Sequence, residues 1–63
     1  MIYENVKALC DKNGTTVYAL TKALGFGYGT ISRWRTSSPS ADKLKAVADY
    51  FGVTVDALLK EGR

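Results

Sequence analysis

Leu20-Thr21-Lys22-Ala23-Leu24-Gly25-Phe26, followed closely by Thr30-Ile31-Ser32-Arg33-Trp34, is the stretch on which the reading of this chain turns. Leu20 and Leu24 stand one helical turn apart and are expected to face inward. The pattern then stops at Gly25, the position after a helix end where a left-handed backbone comes most easily to glycine. A second apolar pattern begins after a short gap. Ile31 and Trp34, three residues apart, predict the buried stripe of another helix over 28–35, with Gly27 as its N-cap. That spacing assigns Trp34 to the core, not to an exposed stacking platform.

Working outward, Thr16 is the expected N-cap of the helix with body Val17–Leu24. Before it, Ile2, Val6, Leu9 and Cys10 form one apolar stripe and predict a helix over 2–12, halted by Asn13-Gly14. Cys10 therefore reads as core packing. After Trp34, Thr36-Ser37-Ser38-Pro39 is a loop, because the residue before a proline is driven from the helical region. Ser40 caps a fourth helix with Asp42 in its first turn; Leu44, Val47, Ala48 and Phe51 make its apolar face, and Gly52 ends it. A fifth helix begins at Thr54. Val53 and Leu58 fit a hydrophobic staple around that cap, and Leu58 and Leu59 are expected to complete the core. The expected fold class is all-α: five short helices in one domain over 1–63.

Composition narrows the function. A chain of 63 residues buries only about 60% of its unfolded surface, which leaves no room for a separate catalytic domain. The single Cys10 allows no internal disulfide and suits a reducing compartment. Histidine is absent, so a zinc site would have a poor ligand set, and no metal or cofactor is expected. No apolar run approaches a membrane span and no signal peptide is visible, so the expected location is the cytoplasm, on the nucleoid if the partner is DNA.

The net charge is +3, and its placement says more than its size. Residues 1–14 are balanced and residues 46–63 carry −1, whereas residues 15–45 carry Lys22, Arg33, Arg35, Lys43 and Lys45 against Asp42 alone, a balance of +4. A localised positive excess is the footprint of a polyanionic partner, though solubilising surface lysines produce the same signal.

Two helices joined at Gly25 make a helix-turn-helix, whose commonest use is to set its second helix in the major groove of duplex DNA. At 100° per residue, with Ile31 at 0° and Trp34 at −60°, the buried direction lies near −30°. Gly29, Ser32, Arg33 and Thr36 then fall within roughly 50° of the opposite direction, with Tyr28 on the flank of the first turn. The expected base-reading residues are Tyr28, Gly29, Ser32 and Arg33. Arg33 carries most of that expectation, since its planar fork matches both acceptors on the guanine edge. Tyr28 can pack on a thymine methyl or donate to phosphate. Gly29 stands out, because glycine costs about 1 kcal/mol inside a helix relative to alanine: either the backbone approaches DNA closely there, or fewer bases are read. Phosphate contacts are expected from Thr16, Lys22, Arg35, Ser37, Ser38 and Lys43, with Lys45 contributing less directly.

The motifs Leu24-Gly25-Phe26, Thr30-Ile31-Ser32-Arg33-Trp34 and Ala48-Asp49-Tyr50-Phe51-Gly52-Val53-Thr54-Val55-Asp56-Ala57-Leu58-Leu59 make nearly the whole chain resemble the phage lambda repressor and Cro superfamily. The resemblance implies a small transcriptional regulator binding an operator, usually as a dimer. It also implies base contacts at Tyr28, Gly29, Ser32 and Arg33. Two positions depart from the family pattern. Thr21 stands where a small residue, usually alanine, lets the two helices of the motif pack closely, and its hydroxyl then needs a partner such as a carbonyl one turn back. Val17 stands where a glutamine commonly touches the DNA backbone, and it cannot donate to a phosphate.

The leading expectation is a sequence-specific, double-stranded-DNA-binding regulator of transcription of phage or bacterial repressor type, a homodimer at least on DNA. The alternative is a protein-interaction module on the same fold, an antitoxin or anti-repressor. An enzyme is not expected, because no nucleophile–base pair is visible. Neither a membrane partner nor a small-molecule ligand is implied.

Overall fold

A computed structural model describes residues 2–60 of the chain. The described residues contain four α-helices and no strand: α1 (Ile2–Lys12), α2 (Val17–Ala23), α3 (Ala41–Phe51) and α4 (Val55–Leu59). Between α2 and α3 lies a single 3-10 turn, Ser32–Arg35. The all-α class stands, while the expected count of five helices is corrected to four and a 3-10 turn.

Local chemistry sets each boundary. The hydroxyl oxygens of Thr16, Ser40 and Thr54 accept from the backbone N–H groups of Ala19, Lys43 and Ala57, capping α2, α3 and α4 as the sequence implies. At the end of α2, Gly25 adopts φ +73°. Phe26 N–H then reaches back to the Thr21 carbonyl and Gly25 N–H to that of Lys22, the paired closure of a Schellman motif. The same bonding closes α3, from Val53 to Ala48 and from Gly52 to Asp49.

The helix expected over 28–35 does not form as such. Gly27 is not its N-cap; the Gly27 carbonyl accepts from Thr30 N–H at 3.1 Å, which makes residues 27–30 a β-turn. Gly29 occupies the third position of that turn with φ +80°, a left-handed conformation closed to a helix interior. Only Thr30 to Arg35 remain before the helix-poor stretch Thr36-Ser37-Ser38-Pro39, too few for a stable α-helix. A 3-10 turn needs fewer residues and is used instead.

The first helix is the hub. α1 packs against α2, the 3-10 turn and α4, and α4 also packs on α3. The fully buried side chains are Val6 and Cys10 of α1, Leu20, Ile31, Val47 and Leu58. Trp34, Leu44, Ala48 and Tyr3 are buried around them. Tyr3 is an addition to the expected α1 stripe, in which Ile2 and Leu9 are only partly buried. Leu59 is a correction: it is half exposed and does not complete the core, because α4 ends after presenting Leu58 alone. Burial, and next the carboxylate of Asp11, push the Cys10 thiol above its ordinary pKa while Lys7 opposes them, so Cys10 stays a protonated core side chain.

One polar side chain ties the ends of the chain together. Asn5 Nδ2 donates to the carbonyls of Leu58 at 2.7 Å and Lys60 at 2.6 Å, satisfying oxygens that the last turn of α4 leaves without partners. Asn5→Ala should cost about 1–2 kcal/mol of stability, read as a lower urea midpoint at unchanged slope. Trp34→Ala removes a large ring from a small core at about 3–5 kcal/mol, and that variant should melt without a cooperative transition.

Candidate nucleic-acid interface

The segment Gly27–Trp34 is held by two anchors. Ile31 is fully buried and Trp34 nearly so, and the Trp34 ring meets Phe26 with centroids 6.4 Å apart. In a 3-10 turn residues i and i+3 eclipse, so two side chains three apart point in one direction. Thr30 is buried beside them, whereas Tyr28, Ser32 and Arg33 are turned away from the core. Ser32 and Arg33 are exposed, diverging from the anchors by roughly 120° on either side. They are therefore two flanks and not one narrow face, which corrects the helical-wheel picture. Tyr28 is 87% exposed, the most open of the large hydrophobic side chains among the described residues.

The β-turn explains Gly29. A Cβ built there would meet only Arg33 Nη1, at an ordinary 3.6 Å, so space does not demand glycine; the backbone at φ +80° does. The same distance places the Arg33 guanidinium beside the bare backbone of Gly29. Arg33 N–H bonds to the Gly29 carbonyl at 3.1 Å, joining the turn to the 3-10 segment. Of the two explanations that the sequence leaves open for Gly29, the structure requires neither, because conformation accounts for the residue.

An open groove of about 440 Å³ runs between α2 and this segment. Tyr28, Gly29 and Ser32 line one side, and Val17, Tyr18, Thr21 and Lys22 the other, with Phe26 between them. Three of the four expected base-reading residues thus share one groove; Arg33 is not part of its lining, and its guanidinium lies beside Gly29. The departure at Thr21 is resolved as the sequence implies: its hydroxyl donates to the Val17 carbonyl one turn back, at 2.8 Å.

The residues expected at phosphates divide into two groups. Lys22 lines the groove and Thr16 caps the start of α2; the Thr16 oxygen accepts the cap bond from Ala19 N–H at 3.0 Å, which leaves its hydroxyl hydrogen to donate outward. Lys22 Nζ lies 5.5 Å from the centre of the Tyr18 ring, and Lys43 Nζ, reaching over from α3, lies 5.7 Å from that of Phe26. Arg35, Ser37 and Ser38 line a separate depression with Trp34 and Leu59. There Arg35 stacks on Tyr3 of α1, 4.5 Å from the ring centre, and its Nη2 donates to the Tyr3 hydroxyl at 3.2 Å. Lys45 pairs with Asp49 at 3.1 Å, so it adds least to the positive surface. Among the described residues no carboxylate pairs with Lys22, Arg33 or Lys43.

Sequence reasoning missed Tyr18 and Phe26 as groove residues and Tyr3 as the partner of Arg35. Tyr18, one residue into α2 and four before Lys22, is the one whose position carried a usable signal.

Among the described residues no cluster of potential metal ligands occurs, and no helix is long and apolar enough to cross a membrane. A family model described as Helix-turn-helix matches residues 6–58. Neither curated proteins nor solved structures give a match.

The role of Gly29 yields a test by sign. In a helix interior, Gly29→Ala would stabilise the chain by about 1 kcal/mol. At φ +80° the same change should destabilise it by about 1–2 kcal/mol, seen in equilibrium urea unfolding.

Proposed function

The chain belongs to the lambda repressor and Cro type of helix-turn-helix domains, a family of DNA-binding regulatory domains and not of enzymes, and we propose that it is a sequence-specific regulator of transcription that reads an operator with the segment 28–35. The observation that carries this reading is the groove itself. An exposed segment pinned by Ile31 and Trp34 presents Tyr28, Ser32 and Arg33 outward, and Lys22 and Lys43, which pair with no carboxylate among the described residues, lie against the nearby Tyr18 and Phe26 rings.

Arg33 is the strongest base reader, since the guanidinium has five donors in a fixed fork and, among the described residues, no competing carboxylate. Ser32 and Tyr28 contribute weaker contacts, and Gly29 supplies the turn that presents them. Thr16, Lys22 and Lys43 meet phosphates near the groove, and Arg35, Ser37 and Ser38 meet them from the separate depression beside Trp34. One such segment spans only a few base pairs. Two copies on a two-fold symmetric site, with half-sites about 10 bp apart, supply the missing specificity. The chain then acts in the cytoplasm as a repressor of phage or bacterial type, one DNA-binding domain over 1–63.

Selection from a random duplex pool at two salt concentrations should enrich a symmetric site, and footprinting should protect both halves. An asymmetric single half-site would contradict the dimer. On that site, Arg33→Ala should alter stability by less than about 0.5 kcal/mol. It should nevertheless lose about 1–3 kcal/mol of discrimination at one base pair, a guanine. Lys43→Ala should leave sequence preference intact and flatten the dependence of log affinity on log salt by about one unit. Salt-independent binding would refute a polyanionic partner.

A further inference from the structure

The groove between α2 and the reading turn has a composition that its place does not require. Its walls are the isopropyl group of Val17 and the rings of Tyr18, Phe26 and Tyr28. Thr21 contributes the one hydroxyl on its α2 side outside the tyrosines, and that group is engaged with the Val17 carbonyl. Ser32 stands at the exposed rim. Lys22 lines the groove with its Nζ above the Tyr18 ring, while Lys43 lies outside the lining, its Nζ above the Phe26 ring. The groove is thus an apolar trough with a positive edge, continuous with the segment that carries Arg33.

Its occupant must bring negative charge to the edge and hydrocarbon to the trough. Duplex DNA does both, and in the major groove the apolar group that its four ordinary bases offer is the C5-methyl of thymine. Resting on the DNA-binding reading above, we infer that this trough is a thymine-methyl reader, with Tyr18 and Tyr28 as its walls and Val17 as its inner end. Operator specificity then has two parts of different chemistry. Arg33 recognises a guanine by hydrogen bonds, and the trough recognises a neighbouring thymine by burial of its methyl group. Val17 fits this division: a side chain that cannot bond a phosphate serves as a surface for hydrocarbon. Tyr18 and Tyr28 are 59% and 87% exposed in the free protein, so both have apolar area left to bury against a base.

The test replaces thymine by uracil, which removes the methyl and leaves every hydrogen-bonding group in place. A duplex selected by the protein is resynthesised with deoxyuridine at each thymine in turn, and affinity is measured for the wild type, Tyr18→Ala and Tyr28→Ala. Burying one methyl corresponds to about a fourfold change in affinity. One thymine in each half-site, close to the guanine read by Arg33, should show that loss in the wild type. The loss should shrink to nearly nothing in Tyr28→Ala or Tyr18→Ala, whose thermal melts should match the wild type. If every uracil duplex binds like its parent, or if the loss is undiminished in both variants, the trough does not read the methyl and the DNA-binding function stands without it. If no duplex is enriched and none binds in a salt-dependent way, the functional reading falls and the inference falls with it.

Discussion

Burial of Ile31 and Trp34 is the constraint on which the rest of this structure depends. The segment between α2 and α3 has little regular backbone bonding of its own: one β-turn, one 3-10 turn, the bond that links them and the bond from Ser37 N–H to the Arg33 carbonyl that follows. Nothing so short holds its shape in water by itself. Its orientation comes from two apolar side chains that enter the core beside Val6, Cys10 and Leu20. Because those two are three residues apart on a 3-10 turn, the residues between them have no direction left but outward. The site is therefore a by-product of core packing, and its geometry is as firm as the seat of Trp34 against Phe26.

The same packing sorts the positive charge. Five cations lie between residues 15 and 45, yet they are not equivalent once the chain folds. Lys45 is engaged by Asp49 on its own helix, and Arg35 is laid along Tyr3 of α1. Lys22 and Lys43 lie, from different helices, against Tyr18 and Phe26, two rings that line one groove, and the Arg33 guanidinium lies beside Gly29. A mild net charge becomes a local one. A ring against Lys22, Lys43 or Arg35 is attracted to the cation without neutralising it, which leaves the charge available to a partner.

Much of this was legible in the sequence, and the failures have physical reasons. The three hydroxyl caps, the glycine closure at Gly25, the core stripe of α3 and the pairing of Ile31 with Trp34 follow from local chemistry, and the structure has them all. So does the bond from the Thr21 hydroxyl, because a buried threonine in a helix has a carbonyl within reach. The helix over 28–35 was misread because Ile31 and Trp34 fit a period of 3.6 and a period of 3.0 equally well. Gly29 held the clue, since its cost inside a helix argued against that helix. The groove could not be read at all. Tyr18, Phe26 and Tyr28 are separated along the chain by a turn whose path depends on the left-handed backbone at Gly25 and Gly29. Leu59 looked like core because it follows Leu58, but α4 is too short to bury two successive residues.

The central claim is that the surface turned outward by Ile31 and Trp34 is the surface that meets duplex DNA. An NMR titration of the folded chain with its selected duplex tests it most directly. Amide and side-chain signals of Thr16 to Tyr18, Lys22 and Tyr28 to Arg33 should shift together, while the Trp34 indole, Asn5 and α4 stay within the small changes of an undisturbed core. Shifts centred on α4 and the exposed side of α1, with the groove unaffected, would contradict the account.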